Sequence, residues 1–357
     1  MIILLKIGKM DGGRADSKKM CRYLCAIGTI RNRKPKFEFS TILVPNKQQG
    51  VVVLVIFGYN SGGCVLHFLS MSIQSQLQEK AAELLTDKKV EVIIGFGQCE
   101  TGDAGAVFVT SPHQTDRLFW NDQCVENLTV YLTKKEIKKL GKPGIVVKGC
   151  DAKTLAVLES EHQIDRDGML VIGVACSGVQ RRGRLQNKCL ACDVQQPPHC
   201  DFVIGEVVPA GETTEKKQDE RYAKLDQLSA MTSDQRFEYW KKEFARCIKC
   251  YACRQNCPLC YCDVCVADKN RPTRIDTSAT LKGNFAWNIL RAFHLAGRCV
   301  GCSACTTACP VGIDLDLLNL TLAKAAEEKF QFRSGMERNT EPLIGTFSPD
   351  DQEKFIR

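Results

Sequence analysis

The chain has 357 residues, 44% of them hydrophobic and 25% charged, with a net charge of +8. Length sets two or three domains as the prior and composition that of an ordinary globular protein, which excludes a disordered or collagen-like chain. Residues 1–70 hold 11 basic and 3 acidic residues, the whole of the +8, while residues 71–357 hold 38 of each, so a nucleic-acid-binding reading finds no support in the body of the chain.

Residues 1–70 read as a basic N-terminal extension in which Lys18–Lys47 has no clear period and Val51–Phe57 has strand length. Met1–Lys6 is too short for the apolar core of a signal sequence, and no segment approaches the ~20 apolar residues of a membrane span. A fresh start shows at Met71, where Met71–Leu85 reads as an amphipathic helix. Two alternatives stay open: Met71 is the natural initiator, or residues 1–70 are a real N-terminal piece whose Ser61-Gly62-Gly63 turn has a task.

From residue 71 the periods alternate. Val90–Gly95 and Ala106–Thr110 are expected strands, Lys134–Leu140 a helix ended by Gly141-Lys-Pro-Gly144, Ile145–Cys150 a buried strand, Asp151–Ser160 a helix capped by Asp151, and Met169–Cys176 the next strand. Strand, helix, strand at this spacing is a βαβ unit, so residues 71–208 are expected to form an α/β domain with a parallel sheet. Cys150 and Cys176 then sit at the carboxyl ends of two strands, the edge where open parallel sheets bind ligands. Cys189-Leu-Ala-Cys192 and Cys200 follow, before a strand at Phe202–Val208. A buried free cysteine is commonly a small hydrophobe. Four thiols converging on one edge with a C-x2-C among them point instead to a 4Fe-4S cluster on Cys150, Cys176, Cys189 and Cys192, with Cys200 in reserve and zinc as the alternative.

Residues 209–232 read as a polar linker. In the helix expected over Asp234–Ala245, Phe237, Trp240 and Phe244 form an apolar face. Then one cysteine phrase occurs twice: Cys247-Ile-Lys-Cys250-Tyr-Ala-Cys253-Arg-Gln-Asn-Cys257-Pro and Cys299-Val-Gly-Cys302-Ser-Ala-Cys305-Thr-Thr-Ala-Cys309-Pro. This is C-x2-C-x2-C-x3-C-P, the bacterial ferredoxin run, in which three thiolates of each copy hold one 4Fe-4S cluster and the fourth crosses to the other. The expected sets are Cys247, Cys250, Cys253 and Cys309, and Cys299, Cys302, Cys305 and Cys257. Zinc would need two pairs and gives no reason for the third cysteine or for the C-P ending. Cys260, Cys262 and Cys265 extend the first run without matching a motif.

The 41 residues between the runs include Gly283–Gly297 at helical spacing, and Asp314–Lys329 fits a further helix. Residues 233–330 are therefore expected to be a mostly helical 4Fe-4S dicluster ferredoxin domain, with residues 331–357 a tail. The sequence contains no G-x-G-x-x-G, P-loop, H-E-x-x-H or G-x-S-x-G, and its five histidines are scattered. A cytoplasmic, oxygen-sensitive protein is expected, since 21 cysteines without a secretory signal point to metal or redox centres over disulfides.

Over roughly residues 90–320 the chain resembles the beta-subunit family of coenzyme F-420-reducing hydrogenases and F-420-dependent formate dehydrogenases. Val147-Lys-Gly-Cys150-Asp-Ala, Ile172-Gly-Val-Ala-Cys176, Cys189-Leu-Ala-Cys192, Asp201–Glu206 and Cys247–Cys262 carry the likeness. Leu290–Ile313 looks like the helical ferredoxins of heterodisulfide reductase and succinate dehydrogenase iron–sulfur subunits. The resemblance implies an electron-transfer subunit working with other redox subunits of an anaerobic complex, while the charge distribution and the lack of a span-length apolar run lead to the expectation of no nucleic acid and no direct membrane insertion. It also implies FAD binding at Ser61, Gly62 and Gly63, which would make a flavin-dependent reductase of coenzyme F-420 or a similar hydride carrier the alternative. Lys148-Gly149 departs from the family's Thr-Pro before the cysteine.

Overall fold

The computed structural model describes residues 41–45, 52–60, 63–70, 72–100, 102–190, 192–206, 214–265, 267, 276 and 278–344. The chain divides into two compact units, Met1–Gln76 and Leu77–Arg357. In the first, strands β1 (Thr41–Pro45), β2 (Val52–Asn60) and β3 (Gly63–Ser70) form an antiparallel sheet in that order, with Thr41 opposite Ile56 and Val53 opposite Ser70. Asn60 pairs with Gly63, and the Ser61 and Gly62 of the expected flavin element lie outside the described residues.

Helix α1 (Ile73–Thr86) buries Leu77, Ala81, Leu84 and Leu85 and leads into a five-stranded sheet. Its strands are β4 (Val92–Gln98), β5 (Ala104–Val109), β6 (Pro143–Val147), β7 (Leu170–Val174) and β10 (Phe202–Ile204), in the order β10-β7-β6-β4-β5. Contacts β10–β7, β7–β6 and β6–β4 are parallel. β5 is antiparallel to β4 because only five residues join them, enough for a hairpin and too few for a crossover. β4 is apolar along its length because it lies inside the sheet with both faces covered. A short helix, α2 (Lys135–Lys138), stands where a longer one is expected.

Helix α3 (Gly149–Ser160) links β6 to β7 and corrects two expectations. It begins two residues earlier than the sequence suggests, with Lys148 at the N-cap position, and the Asp151 carboxylate accepts from the Lys148 backbone N–H at 3.0 Å from the third helical position. Cys150 is therefore in the first helical turn rather than at the end of β6, and Cys176 lies two residues beyond β7. A two-stranded hairpin of β8 (Gln180–Arg181) and β9 (Arg184–Leu185) precedes α4 (Asn187–Leu190), which carries Cys189.

The expected linker, 209–232, contains helix α5 (Thr214–Ser229), whose Leu225 and Leu228 are buried. Its charged residues are good helix formers, and it docks through these leucines, the Tyr222 hydroxyl on Glu327 at 2.7 Å and the ion pairs Lys224–Asp314 and Asp226–Lys324. The helical module follows: α6 (Ser233–Ala245), α7 (Ala252–Gln255), α8 (Leu281–His294), α9 (Ala304–Thr307) and α10 (Leu315–Phe330). Thr232 caps α6 in a box with Gln235, and Thr280 caps α8 by accepting from the Gly283 N–H. Phe244, Trp287, Ile313 and Leu315 centre its core, Trp240 stacking on Phe244 while Phe237 is 53% exposed against Phe285.

The α/β and helical modules are not separated: Val157 and Leu158 of α3 share a core with Cys257, Leu259, Leu295 and Val300. Arg298 donates to both carboxylate oxygens of Glu161 across the same seam. The segment after α10 returns to the sheet domain, with Arg338 forked onto Glu159 at 2.6 and 2.8 Å and Arg333 paired with Asp193. Among the described residues no helix is long and apolar enough to cross a membrane.

Candidate metal centres

The two cysteine runs fold as copies of one loop. In each, the residues before and after the second cysteine adopt left-handed backbone: Lys249 (φ 56°) and Tyr251 (φ 61°) in the first, Gly301 (φ 70°) and Ser303 (φ 54°) in the second. Each then enters a four-residue helix, α7 or α9, with the third cysteine at its second position. Each helix closes alike, Asn256 N to Ala252 O at 2.9 Å and Ala308 N to Ala304 O at 3.0 Å. Successive right- and left-handed residues turn backbone N–H groups into a concavity that suits an anion or a sulfide-bearing cluster. Holding Lys249, Tyr251 and Ser303 in the left-handed region costs on the order of 1 kcal/mol or more each, which marks the conformation as imposed by the site.

The thiols assemble across the two loops. Burial pushes the Cys253 thiol up to about 11, Arg291 opposes the rise, and Cys247, Cys309 and Cys250 are near enough to add to it. Cys305 is raised by burial against Arg291, with Asp316, Cys299 and Cys302 adding, and burial lifts Cys299 to about 12. The adjacent Cys260 and burial push the Cys257 thiol well up, and Cys302 of the second run adds to the rise. Thus Cys309 stands with the first loop's three cysteines, and Cys257 beside the second loop's. Asn256 Nδ2 reaches the Ala304 carbonyl at 3.1 Å and ties the loops together.

Polar side chains fix each loop. Asp316 accepts from Ser303 Oγ at 2.8 Å and Thr306 Oγ1 at 2.9 Å, and Asn319 Nδ2 points at Cys305 Sγ at 3.6 Å. Asn284 Nδ2 holds the Cys247 carbonyl at 2.7 Å, and Lys249 Nζ holds the carbonyls of Asp276 and Ser278.

Cys150, Cys176, Cys189 and Cys192 line one cavity of about 360 Å³ at the carboxyl edge of the sheet, and Cys299 of the helical module lines it too. Burial raises Cys150 to about 12 and raises Cys176 and Cys192, with Cys189 and Cys192 both near enough to act on Cys176. Gly149 is required here, since a Cβ on it would meet the Val194 carbonyl oxygen at 1.6 Å; this close approach sets the Cys192–Val194 segment against α3. Among the described residues no three Cys, His, Asp or Glu side chains close on a single-ion point. Cys150, Cys176, Cys189 and Cys192 share the cavity wall with Asp193, Asp316 and Glu327, and four thiols are a ligand set that either a 4Fe-4S cluster or a tetrahedral zinc takes.

The remaining cysteines fall outside these sets. Cys200 sits against Gly173 and donates to the Pro198 carbonyl, away from the cavity lining. Cys260 packs against the core that holds Cys257, Cys262 is exposed, and Cys265 packs on the helical core.

Sequence reasoning did not single out three cations at these sites. Lys148 is 1% exposed, donates to Asp151 at 2.8 Å and to the Glu126 carbonyl at 2.6 Å, and lies over the Phe96 ring. Lys188 bridges the modules and Arg291 is buried between the loops. For Arg291 the sequence does carry a signal: it falls on the buried stripe of α8 with Asn284, Trp287 and Asn288, where a charge calls for a counter-charge.

Residues 243–313 match the family model of the 4Fe-4S dicluster domain. The chain is 33% identical over 108 residues to the F420-dependent formate dehydrogenase subunit beta of Methanocaldococcus jannaschii, covering 30% of this chain and 28% of the relative. It is 28% identical over 112 residues to the F420-dependent formate dehydrogenase 1 subunit beta of Methanococcus maripaludis, covering 31% and 28%. The chain thus spans less than a third of the length of these relatives. A mostly parallel α/β region followed by a helical 4Fe-4S dicluster domain is the architecture of this protein.

Proposed function

We propose that this protein is an electron-transfer subunit of a cytoplasmic, anaerobic oxidoreductase complex of the formate dehydrogenase, hydrogenase or heterodisulfide reductase type, working with other redox subunits. The observation that carries the reading is the shared cavity, in which Cys150, Cys176, Cys189 and Cys192 stand beside Cys299 of the dicluster domain. The ligand sets are Cys247, Cys250, Cys253 and Cys309; Cys299, Cys302, Cys305 and Cys257; and Cys150, Cys176, Cys189 and Cys192. Bound clusters supply one-electron acceptance and donation without proton transfer.

The chain's own residues do the rest. The Ile313 backbone N–H donates to the Cys309 sulfur at 3.3 Å, and Asn319 donates toward the Cys305 sulfur. The core shared by Val157, Leu158, Leu259 and Val300 keeps water from the region between the cavity and the second loop. Lys188 and Arg298 pin the two modules at one separation. At the other end Cys250 is exposed and its neighbour Ile248 is 59% exposed, so the first loop reaches the surface where a partner can receive the electron.

Anaerobic isolation from the host with bound partners, followed by iron, sulfide and flavin quantification, tests the reading. About twelve irons per chain correspond to three cubanes. About eight would remove the site on Cys150, Cys176, Cys189 and Cys192, and stoichiometric zinc without sulfide would overturn the whole proposal. Flavin retained at one per chain would favour the reductase of coenzyme F-420 or a similar hydride carrier.

A further inference from the structure

Arg291 is 6% exposed, on the inward face of α8. One of its terminal nitrogens donates to the Cys253 carbonyl at 3.1 Å, its charge helps to lower the Cys260 thiol, and its Nε has no partner among the described residues. Burial works against its charge, and what outweighs burial is a ring of sulfur: Cys257, Cys260, Cys305 and Cys253, with no carboxylate among the leading influences. Cys253 and Cys257 belong to the first run, Cys305 to the second and Cys260 to neither ligand set, and Arg291 in turn acts on Cys299.

A guanidinium cannot shed its proton at any working pH, so it stays charged wherever the fold puts it. Buried cations are paired, because an unpaired one costs far more than its attractions return. The half-buried Arg298 of this region follows that rule with a carboxylate, Glu161. The leading charges that answer Arg291 are thiols from both runs, beside the Cys253 carbonyl.

We propose that Arg291 is the shared counter-cation of the two ferredoxin-type centres, a positioning residue that stabilises the more negative, reduced form of both and so holds both reduction potentials up together. The proposal rests on the cluster reading of the two loops. Each reduction adds one electron from the redox partner and no proton, and Arg291 remains protonated throughout. Because one fixed charge acts on both sets, Arg291 shifts both midpoints in the same direction, whichever centre is reduced first.

The test is an anaerobic redox titration followed by electron paramagnetic resonance on the intact protein, with Arg291→Gln and Arg291→Lys. Gln keeps an amide donor for the Cys253 carbonyl and removes the charge. With full iron content, both dicluster midpoints are expected to move to lower potential in Arg291→Gln and to stay near the wild-type values in Arg291→Lys. Unmoved midpoints in Arg291→Gln, or movement of one centre alone, would overturn the proposal. If Arg291→Gln fails to hold iron, Arg291→Lys decides: wild-type iron and midpoints support a charge role, and iron loss there as well shows that shape was needed and sinks it. Wild-type protein without iron would remove the cluster reading itself, a separate outcome from an iron-loaded protein whose potentials ignore Arg291.

Discussion

Lys188 Nζ donates to the Cys302 carbonyl at 2.9 Å and to the Val125 carbonyl at 3.0 Å. The neighbour of Cys189 in the sheet domain is thereby fastened to the backbone of the second ferredoxin loop. Replacing Lys188 by Met removes two charge-assisted bonds while keeping the stem. The expected cost is about 1.5–3 kcal/mol, read as a lowered denaturation midpoint of the loaded protein with iron content unchanged. Iron lost from the variant would mean that Lys188 serves the thiols rather than the seam.

Cys150→Ala is expected to lower the iron count from about twelve to about eight per chain, leaving the dicluster signals in place. Cys200→Ala, at a thiol occupied with the Pro198 carbonyl, is expected to leave the count unchanged. Parallel iron and sulfide assays on the two variants separate a ligand from a bystander.

Lys148 and Asp151 are both buried and pair at 2.8 Å. Lys148→Met leaves a buried carboxylate without its cation, a loss of about 3–5 kcal/mol. The double change Lys148→Met with Asp151→Leu is expected to recover much of this, since a buried pair replaced by apolar residues of similar size is often neutral. A double-mutant cycle by chemical denaturation measures the coupling, and equal costs for single and double variants would contradict it.

Alkaline pH should distinguish the metal-free protein from the loaded one. The folded chain holds Cys150 and Cys299 at about 12 and Cys253 at about 11 by burial, above the ~8.5 of an unfolded thiol. The unfolded chain therefore loses these protons first, so the stability they contribute is full below pH ~8.5 and is lost as pH rises toward 11–12. Melting temperature of metal-free protein is expected to fall between pH ~8.5 and ~10.5. In the loaded protein the ligating thiols are deprotonated in advance and this decline is absent.

The periodicities of Ile145–Val147 and Leu170–Val174, and the doubled cysteine phrase, are written in residues whose behaviour is local, so the sheet strands and both loops were legible. Other features were not, for physical reasons. The end of β6 was misjudged because Lys148 and Asp151 satisfy each other and draw Gly149 and Cys150 into the helix, a pairing no propensity encodes. The helix at Thr214–Ser229 reads as a linker because few of its residues are apolar, and it docks through Leu225, Leu228 and polar contacts such as Tyr222 on Glu327, whose partners lie far along the chain. The fusion of the two modules depends on Lys188 meeting a backbone carbonyl 114 residues away, information that side-chain type cannot carry.

Phe332, Arg333 and Ser334 form part of the wall of the cavity that holds Cys150, Cys176, Cys189 and Cys192. During synthesis the last of these thiols leaves the ribosome roughly 140 residues before that wall does, an interval on the order of ten seconds at ordinary elongation rates. Over that time the wall is incomplete, since Tyr222, Cys299, Asp316 and Glu327 also belong to it, and Arg338 on Glu159 and Arg333 on Asp193 latch its lip last. Whatever fills this pocket has a natural moment of entry, before the chain's end has arrived to fasten it.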